Sequence, residues 1–364
     1  MKCINRGTSP HTRSCSLVQG VSTVNCLKIR TLAILLTSVL LLFSCNGVVD
    51  TIIFNRTNPY ELIMDFEKQQ FNRSFQVGTP FTTGLAVAAS DVPMEGISLE
   101  EEILSGALFS IHQPRVLYGY NMFEYVYPAS TTKIMTALVA IHYGNMDDLV
   151  TVSDNAVAFE WYAQVGGLRS GDQVSMRDLV AGLMLHSGND NAIAIAEHIS
   201  GSEEAFVQLM NEKAYALGAT HTHFVNSHGL HDERQYTTVY DLYLIFNYLA
   251  KDQRFLDIIA MPYVTARITS QYGEVRYDRW YPSNWYNSGA IPHPEGVTVL
   301  GGKTGTTDQA GACLILFNRN DYHDYYISII MGAPTREDLY RHKTFLLHHG
   351  IGSRNEPLTD EAPY

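Results

Sequence analysis

Three short polar motifs in this chain could carry chemistry: Ser130-Thr131-Thr132-Lys133, Ser187-Gly188-Asn189 and Lys303-Thr304-Gly305, in that order. In a helix, a hydroxyl and an amine three residues apart share a face. A neutral amine so placed can take the hydroxyl proton as the oxygen attacks a carbonyl, which makes Ser130 a candidate nucleophile and Lys133 its base. A lysine in water is protonated at neutral pH. The reading therefore requires burial, and the like charge of Lys303 nearby, to lower the Lys133 pKa. Taken singly, each motif has an ordinary explanation: a capped helix start with an exposed lysine, a turn before a helix, and a strand end. Their order, their spacing and the sequence around each give them joint meaning.

The elements that must position these motifs are legible in the apolar pattern. After Pro128, the residues Ile134, Ala137, Leu138 and Ile141 recur at helical spacing, so the first motif opens a helix. Further helices are predicted over 175–185, 189–199, 203–217 and 239–249. SGALFSIH and RVLYGY read as two strands around the turn Gln113-Pro114. The C-terminal third reverts to strands (GVTVLGGKTG, AGACLILFN, DYYISIIMG) and closes with a helix over 336–348. Strands, then helices, then strands predict an α+β fold, an antiparallel sheet with helices packed on its faces.

With 364 residues, 46% of them hydrophobic and 17% charged, the chain has material for one large core. Its formal charge of −12 argues against a nucleic-acid partner, which would demand clustered Lys and Arg. Cys3, Cys15, Cys26 and Cys45 all lie in the first 45 residues. Cys313 is left without a disulfide partner in the globular part, and paired-cysteine zinc sites are excluded. Residues 31–43 form an apolar run of signal-peptide length after Lys28 and Arg30. Leu42-Phe43-Ser44-Cys45 resembles a lipobox with an unusual Phe, so lipidation at Cys45, a cleaved signal and an uncleaved anchor all stand open. The expected organisation is a signal or anchor over 1–45, a tether or poorly ordered extension over 46–96, a catalytic domain over 97–351 and a tail over 352–364. Asn55 and Asn72 head N-x-S/T sequons, which are given no functional weight.

Four stretches, YPASTTKIMTALVA, GLMLHSGNDNAIAIAEHISGS, LGATHTHFVNSHGLHDERQYTTVYDL and GGKTGTTDQAGACL, resemble signatures of the low-molecular-mass penicillin-binding D,D-carboxypeptidases, peptidase family S11. The resemblance runs from about Ile97 to Gly350. It implies a β-lactamase/transpeptidase-like fold of three layers, with helices on both faces of the sheet and an all-helical subdomain. It implies removal of the terminal D-Ala from peptidoglycan stem pentapeptides through a Ser130 acyl-enzyme, with penicillins and other β-lactams acylating the same serine and no cofactor or metal. In that scheme Ser187 relays a proton to the leaving amine, and Asn189 holds the substrate backbone and Lys133. Lys303 and Thr304 bind the terminal carboxylate, and Gly305 admits the peptide to the strand. The backbone N–H groups of Ser130 and Thr306 receive the oxyanion, and Arg336 is a second cation for the carboxylate. The E-x-x-L-N segment of class A β-lactamases is missing after the second motif, so slow lactam hydrolysis is expected.

Other readings stay in view. The same family contains D,D-endopeptidases, and a catalytically silent wall-binding or sporulation protein could keep the fold. His221, His223, His228 and His231, with Asp232 and Glu233, invite a zinc-peptidase reading, but the segment also resembles the family's own metal-free sequence. The aromatic stretch 277–286 (YDRWYPSNWY) is read as packing in preference to a groove wall, and Asp241 and Tyr236 as anchors of the next helix. Many relatives carry a C-terminal β-rich domain and an amphipathic helix. This sequence stops soon after the closing helix, so membrane attachment is expected from the N-terminal segment, facing outward.

Overall fold

The computed structural model describes residues 84–99 and 102–352. In chain order it contains β1 (Ser105–Ser110), β2 (Arg115–Tyr120), α1 (Lys133–Tyr143), β3 (Leu149–Thr151), β4 (Gln173–Ser175), α2 (Met176–Leu185), α3 (Asn189–Ser200) and α4 (Glu203–Ala216). There follow α5 (Val239–Leu249), α6 (Gln253–Ile259), β5 (Val264–Thr269), β6 (Val275–Trp280), β7 (Val297–Thr307), β8 (Gly311–Asn320), β9 (Tyr325–Ala333) and α7 (Arg336–Leu347).

Five strands make an antiparallel sheet in the order β2-β1-β9-β8-β7. Side chains alternate between its faces, and both faces are apolar. Ala107, Phe109, Ile315, Phe317, Ile327 and Ile329 join the larger core with the helices. Leu108, Leu314, Leu316, Tyr326 and Ile330 join a second core with Leu339, Leu346 and Leu347 of α7. A strand buried on both sides reads as a continuous apolar run, which is why AGACLILFN and DYYISIIMG were recognisable.

The predicted helices form within a residue or so of their expected bounds, and side chains close the N-termini of α2, α4, α5 and α7. Ser175, Ser202, Thr238 and Thr335 accept from the amides of Asp178, Ala205, Asp241 and Asp338. Helix α1 is buried from Lys133 to Ile141 and packs against α2, α3, α4 and α5, so the first motif is carried into the centre of the helical part.

Two features depart from expectation. The helical part is not all-helical: β3, β4, β5 and β6 form a second, four-stranded sheet. Three-residue strands such as β3 and β4 are too short to show a period of two. The packed chain also starts before Ile97. Ala86 is buried, its N–H donates to Tyr243 Oη (2.8 Å), and Val92 pairs with Gly119, so residues 84–96 belong to the domain and not to a tether. The signal run, Cys45 and residues 353–364 of the expected tail lie outside the described residues. Among the described residues no helix is long and apolar enough to cross a membrane.

Candidate active site

Ser130 sits on a tight 3-10 turn, Ala129–Thr132, that runs directly into α1. Ala129 adopts a left-handed φ of +47°, and Thr131 Oγ1 donates to the Pro128 carbonyl at 2.6 Å. Two glycines close on this turn from different segments. Gly229 has φ +86°, and a Cβ there would collide with the Ala129 carbonyl. A Cβ on Gly305 would meet Ser130 N at 3.0 Å and Ala129 Cβ at 3.1 Å. Gly305 therefore lets the strand approach the turn that carries Ser130, a neighbour that sequence reading had not supplied.

Lys133 lies one turn on, its side chain fully buried. Its Nζ is 3.1 Å from Ser130 Oγ and 2.7 Å from Asn189 Oδ1, and it donates to the carbonyl of His228. Burial holds its pKa well below the ordinary lysine value, and the charge of Lys303 lowers it further, while Asp190 pulls the other way. A neutral amine has two hydrogens and one lone pair. With the hydrogens directed at Asn189 and His228, the lone pair faces the serine hydroxyl.

The second motif joins α2 to α3. Ser187 is left-handed (φ +67°), and its Oγ accepts from Lys303 Nζ at 2.9 Å. Asn189 opens α3, its N–H donating to the Gln164 carbonyl at 2.9 Å. Asp190 was not foreseen. Its carboxylate accepts from the amides of Gly166 (2.6 Å) and Leu168 (3.0 Å) and so pins the loop beside the motif.

The third motif lies on β7, the edge of the large sheet, as expected. Lys303 is fully buried; beyond Ser187 it donates to the Thr304 carbonyl at 2.9 Å. Burial, with the charge of Arg336 second, lowers its pKa to about 7. Thr304 Oγ1 pairs with Ser283 Oγ at 2.6 Å, and Thr306 is exposed beyond it. Arg336 donates to the Ser283 carbonyl (3.0 Å) and stacks over Trp285 (5.3 Å), which brings the second cation to this end of the cleft.

The histidine-rich segment divides among different tasks. His228 lends its backbone carbonyl to Lys133, and its ring is pushed down to about pKa 3 by burial and by Lys133, so it stays neutral. Gln235 Oε1 accepts from Val225 and Asn226, and Asn226 Oδ1 from Gly229, fixing the loop that aims this carbonyl. His221 packs near Tyr125, His223 pairs with Tyr236, and His231 meets Tyr127 edge-on. Among the described residues no group of three or more His, Cys, Asp or Glu is placed to hold a metal. Asp241 anchors His221 N and Thr222 Oγ1 (2.8 and 2.7 Å), while Thr238 caps α5. In the aromatic stretch, Trp280 and Tyr286 are core residues, and Tyr277 and Tyr281 are exposed.

A family described as D-alanyl-D-alanine carboxypeptidase, peptidase S11, matches residues 102–335. The D-alanyl-D-alanine carboxypeptidase DacF of Bacillus subtilis strain 168 is 31% identical over 249 residues, 66% of this chain and 60% of that protein. DacD of Escherichia coli K12, with the same description, is 30% identical over 279 residues, 74% of this chain and 68% of that protein. The chain thus spans about three-fifths to two-thirds of the length of these two relatives. Among solved structures, the Streptomyces K15 DD-transpeptidase superposes with a TM-score of 0.64 at 26% identity, covering 71% of this chain and 99% of that one.

Proposed function

This chain belongs to peptidase family S11, the D-alanyl-D-alanine carboxypeptidases, and from that premise we propose that it removes the terminal D-Ala from peptidoglycan stem pentapeptides through an acyl-enzyme on Ser130. The observation that carries the proposal is the fully buried Lys133 amine, its pKa held well below the ordinary lysine value and its Nζ 3.1 Å from Ser130 Oγ. Ser130 Oγ attacks the carbonyl carbon of the penultimate D-Ala as Lys133 Nζ takes its proton. The developing oxyanion is received by the N–H groups of Ser130 and Thr306, on the turn and the strand that Gly305 lets approach each other. When the C–N bond breaks, the departing amine takes the proton of the Ser187 hydroxyl, which is held by Lys303, and Ser187 is replenished with the proton that Lys133 took from Ser130, so Lys133 is neutral again for the second step. Water then attacks the ester carbonyl, giving its proton to Lys133, and Ser130 recovers its own.

The terminal carboxylate of the substrate is drawn by two cations of unequal reach. Lys303 acts from beneath through its field and through Ser187, while the hydroxyls of Thr304 and Thr306 and the Arg336 guanidinium contact the carboxylate. A penicillin, a strained cyclic amide that mimics the D-Ala-D-Ala end, acylates Ser130 by the same first step, its ring C–N bond breaking in place of the peptide bond. The proposal includes export, with residues 31–45 as signal or anchor.

Two measurements test this. Intact-mass analysis after incubation with a labelled penicillin should give one adduct, mapped to Ser130, and a pentapeptide should release D-Ala. A crosslinked muropeptide dimer assayed in parallel measures endopeptidase action. If the wild-type protein neither takes up penicillin nor frees D-Ala, the proposal fails; if it cleaves the dimer alone, the endopeptidase reading replaces it.

A further inference from the structure

The loop pinned by Asp190 carries two aromatic side chains that bury almost nothing. Trp161 is 92% exposed and Tyr162 is 68% exposed. They occupy the tip of a turn closed by the Ala163 N–H donating to the Glu160 carbonyl at 2.9 Å, a position where Gly, Asn, Asp or Ser ordinarily serve. Their rings stand at 86° to each other with centroids 5.8 Å apart, so together they make a right-angled corner facing solvent. The hydrophobic effect gives no reason for a tryptophan there.

The tip is nonetheless held in place from both sides, and by the machinery itself. On one side the Phe159 ring meets the His228 ring edge-on at 5.5 Å. On the other, the Gln164 carbonyl accepts from Asn189 N, and Asp190 grips Gly166 and Leu168. His228 and Asn189 are the two groups that hold Lys133, so this corner is rigidly referenced to the nucleophile.

We propose that Trp161 and Tyr162 form a stacking platform for the amino-sugar ring to which the stem peptide is attached. This rests on the carboxypeptidase reading and names a further part of its substrate. An exposed aromatic face is negative and attracts the C–H face of a pyranose, and the exposed Glu160 carboxylate beside it accepts from sugar hydroxyls. The reach is compatible. Trp161 is three Cα steps, at most roughly 11 Å, from Gln164 beside Asn189, while four extended stem residues between the scissile bond and the sugar span roughly 13–14 Å. An anionic lipid surface is a poorer occupant, because Glu160 and the net charge of −12 repel it.

The test measures binding in a Ser130→Ala background, where no turnover intervenes, and turnover in the wild-type background. Calorimetry should find the disaccharide-linked pentapeptide bound about five- to tenfold more tightly than the free pentapeptide. Adding Trp161→Ala should erase that difference, and Trp161→Phe should keep most of it. With Ser130 intact, Trp161→Ala should raise KM for the sugar-linked substrate by the same factor. It should leave kcat, the free pentapeptide and the penicillin acylation rate unchanged.

Equal loss on both peptides would overturn the proposal, as would no loss on either. So would loss of sedimentation with phosphatidylglycerol vesicles as the sole effect of Trp161→Ala. A wild-type protein that binds both ligands with the expected preference yet releases no D-Ala would sink the carboxypeptidase reading and leave the platform standing.

Discussion

The two faces of the large sheet offer a controlled contrast, because each buries lysine completely. On the helical side are Lys133 and Lys303; on α7, against the other face, is Lys343. All three have pKa values lowered chiefly by burial. Lys133 and Lys303 each meet a serine hydroxyl on a left-handed or tightly turned backbone, and each feels another cation. Lys343 has the Leu314 carbonyl at 3.0 Å and Ser328 Oγ at 3.4 Å, and its shift has no cause beyond burial. Desolvation favours the uncharged form of all three amines. On the proposed function, only the surroundings in the cleft give such an amine a hydroxyl to deprotonate.

The contrast can be broken or sharpened by substitution, beginning with the largest effect. Ser130→Ala should abolish the penicillin adduct and lower D-Ala release by about 10⁴-fold or more, read by mass spectrometry and amino-acid release. Lys133→Ala should lower kcat/KM by about 10²–10⁴-fold and remove the acid limb of the pH profile, since activity in the wild type rises as this amine loses its proton. Loss of activity with that limb intact would mean that some other group is the base. Gly229→Ala should push the Ala129 carbonyl, and Ser130 with it, out of place; roughly a 10²-fold fall in acylation rate is expected.

Arg336→Ala removes a like charge from Lys303, so the pKa of about 7 should rise and any basic limb should move to higher pH, together with a higher KM. Lys343→Met should leave kcat/KM alone and change only stability. Burial holds the folded-state pKa of Lys343 well below its unfolded value, so between the two the unfolded chain binds the extra proton and stability rises with pH up to the ordinary lysine range near ~10.4. Urea midpoints measured across that range should rise for the wild type and flatten for the variant. A catalytic defect in Lys343→Met would erase the distinction between the two faces.

Much of this was legible from residue order. The hairpin of β1 and β2, the long C-terminal strands and helix α1 announce themselves because each is long enough to repeat its period, and the three motifs contain Ser130, Lys133, Ser187, Asn189, Lys303, Thr304 and Gly305, with Thr306 next in line. What escaped has a common physical cause. The His228 carbonyl is a backbone group that any residue could supply, so its identity says nothing of its task. Asp190 acts on amides of a distant loop, and Gly229 matters because of what it must not carry. The burial of Lys303 and its hydrogen bond to Ser187 likewise come from packing between two distant segments, which the Lys303-Thr304-Gly305 motif alone does not display.

Ala129 and Ser187 are both held in a backbone conformation that side chains with a Cβ avoid, one before the nucleophile and one within the second motif. Glycine at 129 would relieve roughly 1 kcal/mol of that tension, but it would also give up a buried methyl group and loosen the unfolded chain by a similar amount, so the two effects nearly cancel. The twist before the nucleophile therefore costs the fold little to keep, and what a glycine there would take away is the stiffness of the peptide unit that aims the hydroxyl.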